Sequence, residues 1–199
     1  MSYQNSIRGC LIGGAIGDAL GYPVEFLSWD EICRRYGNSG ITKFSLKNGI
    51  AQISDDTQMS LFTACGLLYG ITRSKLRGIG AGLSGYIYPA YLAWLKTQGD
   101  AFQDNLYDPH PSWVGNIAAM YSSRAPGCTC LEALQSGIMG TIEKPLNNSK
   151  GCGGIMRIAP IAAYVGFLQS SDKYAFHMQE AAEAAAITHG HPLGWLTAA

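Results

Sequence analysis

A chain of 199 residues is long enough for one domain with a substantial core, and 47% hydrophobic against 14% charged residues argues against disorder. Fourteen basic and fourteen acidic residues cancel, and no basic cluster exceeds Arg34-Arg35, so the footprint of a nucleic-acid binder is missing and a small-molecule partner fits better. Six cysteines (Cys10, Cys33, Cys65, Cys128, Cys130 and Cys152) form no Cys-x-x-Cys pair, which suits reduced thiols in a cytoplasmic protein and predicts no disulfides.

The first element is the apolar stretch GCLIGGAIGDALG at 9–21. Asp18 interrupts it, it is too short to span a bilayer, and no good cleavage site follows, so a soluble protein without a membrane partner is expected. Gly9, Gly13, Gly17 and Gly21 recur every four residues, which predicts a smooth face on a core helix where a neighbour's backbone approaches closely. Pro23 disfavours helical geometry at Tyr22, so the helix should stop near Gly21 and leave YPVEF as a turn or loop. Residues 36–53, rich in Gly, Asn, Ser and Lys, are predicted to be surface loop. In TQMSLFTACGLLYGI, the apolar positions Met59, Phe62, Leu67 and Leu68 predict a second buried helix. A third runs from about Ser84 to Lys96. Thr97 to Asn116, with Asp100, Asp104, Asp108, Pro109 and Pro111, is predicted to be a long exposed loop of the kind that often carries function. CLEALQSGIM and the alanine-rich KYAFHMQEAAEAAAIT supply two further helices. Helical period dominates, so the prediction is a single all-α domain over 1–199.

Four stretches hold residues with chemical potential. ISDDTQM, at 53–59, admits two readings. As a helix start, Asp55 caps and Gln58 completes a capping box. As a metal site, Ser54, Asp55 and Asp56 turn hard oxygens toward a Mg²⁺-like cation. NNSKGCGGIMRIAP, at 147–160, places Gly151, Gly153 and Gly154 before Ile155-Met156-Arg157, where bare N–H groups meet a phosphate or simply form a turn. It carries neither a Walker pattern nor a dinucleotide fingerprint. His189 and His191 in ITHGHP lack a further zinc ligand at recognisable spacing, which favours hydrogen bonding at a helix end. Glu25 is an acid in otherwise apolar surroundings; by itself it is a solvated loop carboxylate.

Taken in order, GCLIGGAIGDALGYPVEF, ISDDTQMSLFTACGLL, SRAPGCTCLEAL, GCGGIMRIAPIAAY and AAITHGHPLGW resemble the ADP-ribosylglycohydrolase family, also called dinitrogenase-reductase-activating-glycohydrolase-like proteins. The resemblance implies an orthogonal helical bundle with two Mg²⁺ or Mn²⁺ ions at the bottom of a cleft. It implies hydrolysis of the glycosidic bond between ADP-ribose and a protein side chain. Ser54, Asp55 and Asp56 would then be metal ligands, with Thr57 beside them, and clustered carboxylates would offset the repulsion between the ions. Asp56 is the expected water-positioning residue, and Glu25 matches a glutamate that gates the cleft or contacts the ribose and metal. Gly151, Cys152, Gly153 and Gly154, with Ile155 and Met156, match the substrate-binding loop for pyrophosphate and ribose; His189 matches a histidine near the substrate. Asp18 matches a motif acid expected to hold the Glu25 loop.

One departure is expected to matter. Family members continue into a second metal motif of Asp-x-Asp-Thr type, and no such motif occurs here, so half of the dinuclear ligand set is expected to be absent and the domain incomplete at its C-terminus. The expected function is metal-dependent removal of ADP-ribose from an ADP-ribosylated protein or ADP-ribosyl conjugate, with arginine favoured over serine. The alternative is a catalytically silent ADP-ribose-binding module; a third reading is a helical interaction protein in which Ser54–Thr57 is only a cap. Exposed apolar faces are expected to promote oligomers.

Overall fold

The computed structural model describes residues 2–78, 80–99, 112–168 and 174–199. Helix α1 (Tyr3–Gly21) starts at Ser2, whose hydroxyl accepts from the Asn5 amide, and passes into a tight turn at Tyr22–Val24 built on Pro23. Helix α2 (Trp29–Tyr36) opens with a complete capping box between Ser28 and Glu31, carries Arg34 and Arg35 in its last turn, and stops at Gly37 with φ 86°. The chain bends by 99° between these helices.

The loop predicted over 36–53 contains a short hairpin, β1 (Leu46–Lys47) with β2 (Ile50–Ala51), pairing Leu46 with Ala51 and Lys47 with Ile50. Asn48 (φ 53°) and Gly49 (φ 80°) make its turn, the left-handed pair that matches strand twist. The longer regular elements that follow are all helices: α3 (Asp55–Arg77), α4 (Ser84–Thr97), α5 (Cys128–Gln135), α6 (Ala159–Leu168), α7 (Tyr174–Ala186) and the short α8 (Pro192–Trp195). The all-α prediction holds, and the hairpin is its one addition among the described residues.

The core lies between α3 and α4, with Phe62, Ile87, Tyr91 and Trp94 fully buried and Leu134 and Ile187 closing it from α5 and the end of α7. Gly66 and Gly70 set the closeness of that pair. A Cβ on Gly66 would stand 2.8 Å from Tyr86 O and Ile87 Cα, and one on Gly70 would stand 2.6 Å from the Tyr86 ring. The glycines predicted to mediate close approach, Gly9, Gly13, Gly17 and Gly21, do not: a Cβ at any of them would meet nothing within 4 Å. Helix α1 buries only Ala19 among its described residues and exposes Ile12 and Ile16. It is a wall, not a core helix.

Of the loop predicted over 97–116, residues 100–111, with Asp100, Asp104 and Asp108, lie outside the described residues. The following segment is anchored, because Val114 is fully buried in the core cluster while its neighbour Trp113 is exposed. No single described helix is long and apolar enough to cross a membrane.

Candidate active site

The double aspartate begins α3, but neither acid is its cap. Ser54 takes that role, its hydroxyl accepting from the Asp56 amide at 3.1 Å. The stronger cap comes from α1: the Asp18 carboxylate accepts from Ser54 N at 2.9 and 3.0 Å, from Thr57 N at 3.2 Å, and from the Thr57 hydroxyl. A full negative charge thus faces the positive end of the helix dipole. Asp18 holds the double-aspartate turn, not the Glu25 loop as expected from the sequence.

The predicted capping box does not form. Gln58 turns inward, donating to Met120 O (3.4 Å) and Ser122 O (3.1 Å) and accepting from Trp94 Nε1 at 3.2 Å. Asp55 is bound at both ends: its amide donates to Arg124 O at 2.9 Å, and its Oδ2 accepts from Gly127 N at 3.2 Å. The 120–127 segment therefore wraps the start of α3 through backbone groups. Such contacts leave no residue-type signature, and sequence reasoning missed them.

With capping done elsewhere, Asp56 is left to face a cavity of about 480 Å³ between α1, the Tyr22–Glu25 turn, α3 and the start of α6. The α1 glycines Gly14, Gly17 and Gly21 form its smooth wall, and Asp18, Glu25, Ser54, Thr57 and Met156 also line it. The structure thus brings Glu25, Ser54, Asp56 and Met156 together. Asp55 lies just behind them, buried and turned to Gly127.

Burial pushes the Asp56 carboxyl up to about 6, helped by the charges of Asp18 and Glu25. It pushes Asp55 up to about 7, against the pull of the Gly127 amide. Glu25 is raised by burial and by Asp18. The charged groups that raise these three acids, Asp18, Glu25 and Asp56, are themselves acidic. Like-charge crowding of this kind disfavours their ionised forms, and a bound cation would relieve it.

Gly151, Cys152, Gly153, Gly154 and Ile155 do not line that cavity. They form a tight turn over His189, which is 2% exposed and whose Nδ1 pairs with the Thr188 hydroxyl at 2.9 Å. A Cβ on Gly153 would stand 2.7 Å from His189 Cε1 and 3.0 Å from Cys130 Sγ, so glycine is needed for the turn to cover the ring. Burial, and then the Arg157 charge, depress His189 to about 4 and keep it neutral. Asn147 laces the loop to the end of α7: Oδ1 accepts from Ser149 N and Gly190 N, and Nδ2 donates to Thr188 O.

Arg157 is the group that sequence analysis quoted but did not single out. It is fully buried and donates to Ala184 O (3.2 Å), Ala185 O (3.4 Å) and Thr188 Oγ1 (2.8 Å), while its guanidinium sits 4.4 Å from the Tyr91 ring centroid. The negative end of α7 and an aromatic face therefore hold the cation. An arginine between Met156 and Ile158 in an apolar run was the available signal. Its Nη1 also approaches Cys130 Sγ at 3.5 Å, linking the loop to α5, whose preceding Gly127 holds Asp55.

Among the described residues no three of His, Cys, Asp and Glu converge closely enough to hold a metal on their own. The donor set is nevertheless of the hard-oxygen kind: Asp56 and Glu25, with the Ser54 and Thr57 hydroxyls. These four are the side chains that could hold a hard cation such as Mg²⁺.

Fold and cavity together define a class: an all-helical protein whose ligand cleft is walled by a glycine-striped helix and floored by clustered acids. The model of the ADP-ribosylglycohydrolase family matches residues 1–199, and the chain belongs to that family. It is similar to the ADP-ribosyl-[dinitrogen reductase] glycohydrolase of Rhodospirillum rubrum, 31% identical over 199 residues that cover 96% of this chain and 54% of that protein. The chain thus spans about half the length of that curated relative. No solved structure matches it.

Proposed function

We propose that this chain carries the first acidic half of an ADP-ribosyl-protein glycohydrolase site, and that the site hydrolyses the bond between ADP-ribose and an arginine side chain. The observation that carries the reading is the convergence of Asp56 and Glu25, both raised by burial and like charge, on one cavity in a member of this family. A Mg²⁺ or Mn²⁺ ion held by Asp56, Ser54 and Glu25 would offset that charge and supply a Lewis acid beside the ribose diol. Asp56, on the cavity wall, is placed to orient a water and accept its proton. Glu25, at the cavity mouth, contacts the ribose. The backbone of Gly151–Gly154 binds the pyrophosphate, with His189 beneath it as a rigid support. Arginine is favoured over serine because a cleft with only negative charges attracts a guanidinium-bearing substrate.

A cytoplasmic setting belongs to the same proposal and is supported by six free thiols. Self-association is supported by the exposed Ile12, Ile16, Phe26 and Trp29 on and after α1. The test is release of ADP-ribose from an arginine-ADP-ribosylated protein with Mg²⁺, Mn²⁺ or EDTA. Release that needs metal and falls about 100-fold or more in Asp56→Asn supports the proposal. Release indifferent to EDTA and to Asp56→Asn overturns it, and metal-dependent ADP-ribose binding without release assigns the silent binding module instead.

A further inference from the structure

Behind the glycine turn, the buried Arg157, the Thr188 hydroxyl and the His189 ring form a hydrogen-bonded chain whose donors and acceptors fix where its protons lie. A guanidinium only donates, and a hydroxyl has one proton to give. Arg157 Nη2 reaches Thr188 Oγ1 at 2.8 Å, so that oxygen is an acceptor there. The same oxygen lies 2.9 Å from His189 Nδ1 and 4.0 Å from Cys130 Sγ. Were the ring proton on Nδ1, two donors and a full positive charge would converge on one oxygen. The hydroxyl proton would then be left with a distant sulfur, a weak acceptor that Arg157 Nη1 already approaches at 3.5 Å. Donated to Nδ1 instead, the hydroxyl proton completes a bond of ordinary length inside the core, where linked hydrogen bonds strengthen one another.

The ring proton then lies on Nε2, the nitrogen beside the turn: a Cβ on Gly153 would stand 3.1 Å from it and one on Gly151 3.4 Å. The described residues give Nε2 no hydrogen-bond partner and, unlike both His177 nitrogens, it is not sealed from solvent. We propose that Arg157 and Thr188 are positioning residues that hold His189 as the neutral tautomer protonated on Nε2, so that the ring offers an N–H donor to an oxyanion seated on the Gly151–Gly153 turn. The hydrogen bond at one ring nitrogen thus decides the role of the other. The opposite tautomer would turn a lone pair toward the anion and repel it. The donor role rests on the proposed function, which puts the pyrophosphate on that turn; the tautomer does not.

The first readout is nitrogen NMR of the ligand-free chain carrying isotope-labelled histidine, in which protonated and unprotonated ring nitrogens resonate far apart. His189 should show an unprotonated Nδ1 and a protonated Nε2. Thr188→Val keeps the side-chain shape and removes the hydroxyl, so it should shift the Nδ1 resonance, and Thr188→Ser should restore it. The second readout is titration with ADP-ribose and Mg²⁺, which should move the Nε2 resonance of the wild type. Thr188→Val should bind at least about ten-fold more weakly by calorimetry, and Thr188→Ser within about two-fold of wild type. A ring proton on Nδ1 in the wild type, or a folded Thr188→Val protein with unchanged ring resonances, overturns the proposal. ADP-ribose that binds and leaves Nε2 unmoved overturns the donor role. The stated tautomer with no ADP-ribose binding supports the positioning pair and contradicts the proposed function instead. If Thr188→Val fails to fold, the wild-type tautomer and the response of Nε2 to ADP-ribose decide.

Discussion

The acceptor that organises the acidic turn is Asp18, and its removal has a calculable cost. Asp18→Ala deletes the carboxylate that takes two backbone amides, Ser54 N at 2.9 Å and Thr57 N at 3.2 Å, together with the Thr57 hydroxyl. Loss of one helix cap costs about 0.5–2 kcal/mol, and bonds to a charged acceptor sit at the upper end of the hydrogen-bond range. Asp18 is partly exposed, so water takes over some of these amides. Relief of like-charge repulsion on Asp56 and Glu25 returns a little more. The net expectation is a loss of about 2 kcal/mol, or roughly 4–8 °C in melting midpoint for a chain of this size. Asp18→Asn, which keeps one acceptor oxygen, should lose about half as much. Urea melts should show a lower midpoint at unchanged slope, and a carboxyl NMR titration should show Asp56 moving below its starting value near 6. An Asp18→Ala protein that melts with the wild type, or whose Asp56 titrates unchanged, would refute the assignment of Asp18 as cap and charge neighbour.

In the metal-free chain, Asp55 (about 7) and Asp56 (about 6) lie above their ordinary value of 3.8, so folding takes up protons and their contribution to stability falls as pH rises through that window. His189, depressed from 6.5 to about 4, acts in the opposite sense and cancels about one proton of the two between pH 4.5 and 6. Stability measured against pH should therefore decline less steeply in Asp56→Asn than in wild type, and Mg²⁺ should flatten the wild-type decline. Gly153→Ala forces a methyl to within 2.7 Å of His189 Cε1 and should cost about 1–3 kcal/mol in a chemical melt. Arg157→Leu leaves Ala184 O, Ala185 O and Thr188 Oγ1 without their donor and should cost about 2–4 kcal/mol, read as a lower urea midpoint.

The sequence carried the helices well where apolar spacing was regular. Met59, Phe62 and Leu67 are buried on α3 as expected, whereas Leu68 is exposed, and α4 ends at Thr97, one residue beyond the predicted Lys96. It misled where a residue's partner lies far along the chain. Gln58 suits a capping box, but buried acceptors at Met120 and Ser122 and a buried Trp94 donor outcompete a local bond at the helix surface. The α1 glycines were legible as a smooth face, yet smoothness does not say what approaches; the face borders a cavity, while Gly66 and Gly70 make the close helix contact. The hairpin at 46–51 has strands of two residues, too short for alternation to show, although Asn48-Gly49 was its signal. In the site, Glu25 needed the family resemblance to be singled out, and its convergence with Asp56 follows from the 99° bend after α1, whose position Pro23 marks but whose angle no residue pattern encodes.

On the function proposed above, the acidic cavity binds ADP-ribose through a divalent cation held at Asp56. Calorimetric titration of ADP-ribose into the purified chain, with Mg²⁺ and then with EDTA, for wild type and Asp56→Asn, tests it most directly. Wild type should bind with Mg²⁺, and binding should be lost with EDTA and lost in a folded Asp56→Asn protein. Binding of equal strength in all conditions would contradict it.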